Sequence, residues 1–365
     1  MSQNYRSRPD YFLLFIVAAL LSIGLLMVFS ASPTMAMRLG DSYFYLKKHL
    51  ISLAVGCVAL YVGFRVDMKF LKDWAVHIMW IALFLLFAVF IPGAGMGAGG
   101  AHRWLYTGIF TFQPAEIAKV ALIIFLAKEL SSKPLARAFL PALAAALAFV
   151  LLIIKEPDVG TAIIITLVAV AVFYLAGASI KSFIPVLLAG LCGFLFLSIT
   201  SPYRMNRLLA FRDPWEDPRG TGFHIIQSLI AVGSGGFLGL GLGGSRQKFF
   251  YLPQNYTDFI FAILCEELGL IGALTVLFLF VLFMIRGVMI IRGAPDAFTM
   301  LLSGGIVSWI GLQAILNLSV VLGVLPTTGI PLPFISYGGT SLAAILFGVG
   351  ILLNISRSIP PREAA

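Results

Sequence analysis

Residues 11–31 read YFLLFIVAALLSIGLLMVFSA, twenty-one positions without a formal charge. A helix rises about 1.5 Å per residue, so roughly 20 apolar residues cross the hydrocarbon core of a bilayer. Arg6 and Arg8 precede the run and give it the look of a signal peptide. It is too long for an h-region, however, and Pro33 stands where cleavage would have to occur. It reads as an uncleaved first span.

Nine further runs predict spans near 49–64, 74–91, 114–128, 138–154, 160–176, 182–199, 259–285, 297–322 and 338–356. Composition agrees, with 60% hydrophobic and 11% charged residues. A soluble domain carries about 45–50% apolar and about 25% charged residues, and disordered chains are polar and poor in aromatics. Both classes are excluded. The expected fold class is an all-α polytopic integral membrane protein with about ten transmembrane helices. A long extracytoplasmic loop, 200–258, separates the seventh from the eighth. The chain reads as one membrane domain over 1–365, with short cytoplasmic tails at 1–10 and 357–365.

Charge sets the orientation. Thirteen basic residues (Arg6, Arg8, Arg65, Lys69, Lys72, Lys128, Lys133, Arg137, Lys181, Arg286, Arg292, Arg357, Arg362) fall on the N-terminal side of the short loops. Five (Arg38, Lys47, Lys48, Arg103, Lys155) fall opposite. The positive-inside rule then places both termini in the cytoplasm and 200–258 outside. The same flanking residues account for the net charge of +9 without a nucleic-acid partner. Cys57, Cys192 and Cys265 lie in apolar runs with no CxxC pair, and the four histidines lack metal-site spacing, so neither a disulfide framework nor a metal site is expected.

The long loop breaks the hydrophobic pattern. It runs from Pro202-Tyr203-Arg204 through Asp213-Pro-Trp to an amphipathic stretch, Phe223–Val232, and a glycine-dense run, Gly233–Gly244. Short helices on the membrane surface and a re-entrant glycine turn are expected. Gly239-x-Gly241-x-x-Gly244 matches the dinucleotide fingerprint formally but lacks the strand and acidic residue that give it a mechanism. Spacing of four between Gly235, Gly239 and Gly243 suits close backbone packing instead. Ser245-Arg-Gln-Lys follows, then Thr257-Asp258-Phe-Ile-Phe-Ala at the mouth of the eighth span. Asp258 is either that helix's N-cap or a carboxylate placed to act on a lipid-linked substrate. Glu266 and Glu267, inside the span, are read as ties between helices.

Elsewhere, Pro114 and Glu116 open the fourth span, and Glu116 and Lys119 are spaced to pair inside the bundle. Arg103-Trp104 sits in a glycine-rich loop. Lys155-Glu156-Pro-Asp158 packs charges into a tight turn, a solvated cap or the lip of a cavity. Broken by Pro and Gly, LPTTGIPLPFISYGGTSL (325–342) is tolerable at membrane depth only if buried or lining a cavity.

Together these strings resemble the SEDS family (shape, elongation, division and sporulation) of bacterial peptidoglycan glycosyltransferases, most specifically over 233–272 and 317–342. Asp213-Pro-Trp and Ser245-Arg-Gln-Lys with Tyr251-Leu-Pro are more similar to the FtsW division branch than to the RodA elongation branch. The resemblance implies ten helices in the bacterial cytoplasmic membrane. It also implies polymerisation of lipid II, the undecaprenyl-diphosphate-linked disaccharide-pentapeptide, on the outer face. A class B penicillin-binding protein and other divisome proteins are the implied partners, with membrane lipid around the chain. Asp258 matches the family's essential aspartate; Arg103, Trp104, Glu116, Lys119 and Asp158 match other sensitive positions.

Inverting glycosyl transfer needs a base for the acceptor hydroxyl, here Asp258, and cations for the diphosphate leaving group. Lys155, Arg204, Arg207, Arg246 and Lys248 are the candidate cations, with Arg103, Trp104 and Asp158 at the substrate. Glu116 and Lys119 form a structural or cavity ion pair. A divalent cation, Mg or Mn, can also neutralise a diphosphate, although the chain has no DxD pair. The competing readings are a lipid II flippase and a non-catalytic divisome scaffold. Against transport, no inverted repeat relates the two halves.

Overall fold

Helix α1 (Tyr11–Ala31) covers the first apolar run, and Asp10 caps it by accepting from Leu13 N at 2.9 Å. The computed structural model describes residues 8–37, 40–91, 95–98, 101–106, 111–183, 190, 193, 205, 209–249, 252 and 255–359. Eight more of the expected spans appear within them as helices: α2 (Phe44–Arg65), α3 (Met68–Ala88), α4 (Pro114–Ser132), α5 (Leu135–Lys155), α6 (Val159–Leu175), α8 (Ile260–Gly293), α9 (Ala297–Val321) and α10 (Gly339–Ser356). Most of the seventh expected span, 184–199, lies outside the described residues. Helix α7 (Phe223–Ser234) belongs to the long loop.

The polytopic helical class holds, with one addition. The glycine-rich stretch before α4 forms a small antiparallel sheet, β1 (Gly95–Ala98), β2 (Ala101–Tyr106) and β3 (Thr111–Phe112), in the order β1-β2-β3. No period-two apolar pattern announces it, because the strands are short and glycine carries no side chain to pattern.

Helices α4, α9 and α10 form the centre. They are buried along most of their length, while α2 and α3 turn most of theirs outward. Lipid tails are as apolar as leucine, so helices in a bilayer gain by close packing rather than by hydrophobic exclusion. Glycine provides the approach between α2 and α10. A Cβ on Gly350 would lie 2.2 Å from Leu60 O, and one on Gly63 would lie 2.4 Å from Phe347 O.

Helix α8 is broken at Gly269, whose φ of 65° and ψ of −163° leave the helical region. In an unbroken helix Leu270 N and Ile271 N would donate to Glu266 O and Glu267 O. Instead they donate to Gly236 O at 2.9 Å and Phe237 O at 3.3 Å, while Leu240 N and Gly241 N donate to Glu266 O and Glu267 O at 2.9 and 3.0 Å. The glycine run thus supplies the four groups that the helix gives up. Such pairing lets non-helical backbone persist where water is scarce. Gly235 and Gly239 are needed there, since Cβ atoms would sit 1.9 Å from Cys265 O and 2.1 Å from Glu267 O. The close packing read from the spacing holds at these two positions; at Gly243 the nearest atom to a Cβ is Lys248 Nζ at 3.9 Å.

Helix α7 does not stand apart as a surface helix. Ile225, Ile226, Ser228 and Ala231 are buried, and Ser228 Oγ donates to Val321 O at the end of α9. The loop ahead of it is ordered by Asp217, which accepts from Gly220 N and Thr221 N. Near the C-terminus Ile330, Leu332, Phe334 and Ile335 are buried. A Cβ on Gly24 of α1 would lie 2.5 Å from Phe334 O, so the 330–336 part of the irregular 325–338 segment runs through the interior, while Gly329 is exposed.

Gly350→Ala should lower the melting temperature in detergent, because the obstructing atom is backbone; overpacking of this kind costs about 1–3 kcal/mol. Gly56→Ala should cost less, since its Cβ would meet the movable Leu346 Cδ1 at 2.6 Å. Equal melting of the two variants would count against this account of the crossing.

Candidate active site

Asp258 lies in the turn before α8 and is half-buried. The N-cap of α8 is Phe259, with no side-chain cap bond, so Asp258 stands outside the cap position. Its main-chain carbonyl accepts from Asn317 Nδ2 at 2.7 Å, the neighbouring Thr257 O accepts from Ser336 Oγ at 2.7 Å, and Tyr256 O accepts from Tyr337 N at 3.0 Å. Gly329, with φ 77°, faces the carboxylate: a Cβ there would lie 3.6 Å from Asp258 Oδ2.

The 328–330 strip also joins Asp258 to the start of α6. A Cβ on Gly160 would meet Thr328 O at 2.9 Å and Ile330 Cγ1 at 2.8 Å. Asp158 caps α6, accepting from Thr161 N and Thr161 Oγ1 at 3.0 Å, and from Gln113 Nε2 at 3.3 Å. Arg103, on β2, donates to Glu156 O at 3.0 Å and to Pro157 O, closing the C-terminal end of α5. Trp104, its neighbour, is exposed, as is Lys155. Asp258 and Gly160, two residues past Asp158, thus both face the 328–330 strip, while Arg103 is tied to the carbonyls of the turn ahead of Asp158.

Glu156 is the residue that sequence reasoning quoted without a role. It is 1% exposed, and neither carboxyl oxygen has a hydrogen-bond partner. Burial, reinforced by Asp158 and opposed by Arg103, pushes its carboxyl up to about 8.

The remaining charged positions divide cleanly. Glu266 accepts from Ser245 Oγ, from Arg246 N at 2.9 Å and from Gln247 N at 3.3 Å, so a buried acid fixes the turn that displays the exposed Arg246. Lys248, expected at the diphosphate, is instead 5% exposed and pairs with Glu267 at 2.9 Å; Nζ also donates to Gly243 O. An ammonium inside an apolar bundle is held by its counter-ion, which Glu267 supplies. Asn255 Nδ2 donates to Lys248 O at 3.1 Å and ties this turn to the approach to Asp258. Arg204 and Arg207 lie outside the described residues.

Glu116 and Lys119 pair at 2.8 Å, both buried. Lys119 also donates to Gln313 Oε1 at 3.1 Å, and Gln313 Nε2 donates to Pro331 O at 3.0 Å. The pair thus ties α4 to α9 and to the interior loop. Asn317 and Gln313 were missed in the sequence, although amides inside an apolar span were the available signal. Among the described residues no group of three His, Cys, Asp or Glu side chains could hold a metal ion.

Fold and site together define a polytopic membrane protein that carries a half-buried aspartate in a rigid turn at the mouth of a helix. Residues 11–359 match the family model FTSW_RODA_SPOVE, described as cell cycle protein. The chain belongs to that family. It is 46% identical over 358 residues to stage V sporulation protein E of Bacillus subtilis, covering 96% of this chain and 98% of the relative. To the probable peptidoglycan glycosyltransferase FtsW of Geobacter sulfurreducens it is 42% identical over 355 residues, covering 96% and 95%. Among solved structures, a chain from work on the structural coordination of polymerization and crosslinking by a peptidoglycan synthase complex superposes with a TM-score of 0.78 at 32% identity, covering 96% and 98%. The rod shape determining protein RodA of Thermus thermophilus superposes with a TM-score of 0.71 at 29% identity, covering 96% and 97%.

Two outcomes test the site. Glu156→Gln should raise the melting temperature near pH 8.5 and leave it unchanged near pH 4.5. The folded carboxyl holds its proton more tightly than the unfolded one. Stability is therefore complete below the ordinary value of 4.5 and is lost as pH rises through about 8. Lys119→Ala should cost about 3–5 kcal/mol by leaving Glu116 buried alone, and Glu116→Gln with Lys119→Met should recover part of that loss. Thermal melting of each variant in detergent reads both effects.

Proposed function

We propose that this chain is a peptidoglycan glycosyltransferase that polymerises lipid II into glycan strands on the outer face of the bacterial cytoplasmic membrane, for septal wall synthesis. The observation that carries the site assignment is the placement of Asp258: a carboxylate outside the cap position, in a turn fixed by three carbonyl bonds, facing a glycine that leaves room before it. The names of relatives at 42–46% identity support the activity.

In this reading Asp258 takes the proton of the acceptor sugar's 4-hydroxyl as that oxygen attacks the anomeric carbon of the donor. The bond to the undecaprenyl diphosphate breaks, and configuration inverts. Arg246 and Lys155, both exposed, neutralise the departing diphosphate. Arg103 and Trp104 border the substrate beside the Glu156–Asp158 turn. Lys248 holds the Arg246 turn in place rather than touching phosphate. Both termini lie in the cytoplasm, which puts Asp258 on the side where lipid II is consumed. The whole chain acts as one membrane domain, and a class B penicillin-binding protein cross-links the strands it makes.

Asp258→Asn decides the assignment. Asparagine keeps the shape and the acceptor oxygen but cannot take a proton. Polymerisation of labelled lipid II should fall by about 10²–10⁴, the usual worth of general-base assistance, while lipid II binding and melting temperature persist. An unreduced rate would remove Asp258 from the chemistry. Translocation of lipid II by a parent protein that never polymerises it would make the chain a flippase.

A further inference from the structure

Three consecutive carbonyls around Asp258 are each taken by a different donor from a single stretch of chain. Tyr256 O is held by Tyr337 N, Thr257 O by Ser336 Oγ, and Asp258 O by Asn317 Nδ2. All three precede Phe259 O, which accepts from Ala262 N and Ile263 N at the start of α8. The turn is thus tied to two other parts of the fold through its own main chain. The donors are themselves fixed. Asn317 is 1% exposed within α9 and also donates to Ile330 O at 2.7 Å; Ser336 Oγ accepts from Leu332 N at 2.8 Å. Since Ile330 follows Gly329, one amide anchors both the aspartate's backbone and the wall opposite its carboxylate.

We propose that Asn317 and Ser336 are positioning residues for Asp258, holding its turn so that the carboxylate is aimed past Gly329 at the acceptor hydroxyl. The proposal rests on Asp258 being the base. Catalysis by a positioned group depends steeply on geometry, and a displacement of about 1 Å can cost about 100-fold in rate. A tie on each carbonyl limits such displacement without touching substrate. Burial and bonding alone would also suit a purely structural clamp, so the test must read coupling to Asp258.

Polymerisation of labelled lipid II by the purified full chain, with a class B penicillin-binding protein present, supplies the readout. Asn317→Asp replaces the donor by an acceptor of the same shape, and Ser336→Ala removes the hydroxyl. Each should lower kcat by about 10- to 100-fold with KM for lipid II within about twofold. Ser336→Thr, which keeps the hydroxyl, should restore most of the rate. In an Asp258→Asn background, followed by single-turnover measurement, the same substitutions should cost nothing further, because residues acting through one group are non-additive. An equal loss in both backgrounds, a loss confined to KM, or a Ser336→Thr variant as slow as Ser336→Ala overturns the proposal. If Asn317→Asp does not fold, the Ser336 series decides alone. Unchanged rates in these variants beside an inactive Asp258→Asn overturn the positioning role only; full activity of Asp258→Asn overturns the base assignment and this role with it.

Discussion

The break in α8 at Gly269 is the constraint on which the whole segment between α7 and α8 depends. A helix interrupted in an apolar surrounding exposes two carbonyls and two amides, each costly if left unpaired. The glycine run meets all four by exchange, Gly236 and Phe237 accepting while Leu240 and Gly241 donate. Because the partners are main chain, register is set to the residue, and the segment that follows is delivered to a fixed place. Glu266 and Glu267, beside the break, then hold the 245–248 turn through its amides, Ser245 Oγ and Lys248. The glycine run, expected as a re-entrant turn suited to close backbone packing, is an extension of the helix's own hydrogen bonding.

Charge inside the bundle follows the same economy. Glu116 with Lys119 and Glu267 with Lys248 are internal pairs, and each joins segments distant in sequence through further bonds. Removing one partner strands the other, which makes these pairs sensitive to substitution whether or not they touch substrate. Glu156 departs from the pattern, a buried acid without a hydrogen-bond partner, held toward its neutral form by desolvation and by Asp158. Arg246 and Lys155, by contrast, are exposed.

The interior C-terminal segment brings these parts into one site. Residues 328–330 touch Gly160 on one side and face Asp258 on the other, while Ser336 and Tyr337 bond the turn before α8. Two regions some seventy residues apart therefore share one local geometry, and the first helix accommodates it by presenting Gly24 to Phe334 O.

The sequence by itself determined the membrane class, the nine described spans to within a few residues at most ends, the pairing of Glu116 with Lys119, and the choice between burial and a cavity lining for the broken 325–342 segment. Each of these follows from a local rule, span length, helical spacing or the cost of unpaired backbone in lipid, and a local rule can be read along a chain. Starts were less well placed for α2 and α3, and the end of α8 runs on from the expected 285 to Gly293, since Lys47, Lys48, Lys69, Lys72, Arg286 and Arg292 mask helical turns that the hydropathy discounts. The three-stranded sheet, the break at Gly269 and the capture of Lys248 by Glu267 were decided by tertiary structure. So was the placing of Asp258 outside the cap position. Whether a lysine meets a phosphate or a buried glutamate depends on which segment lies opposite, and hydrogen bonds between Tyr256–Asp258 and residues 317–337 exist only once α8, α9 and the interior loop have packed.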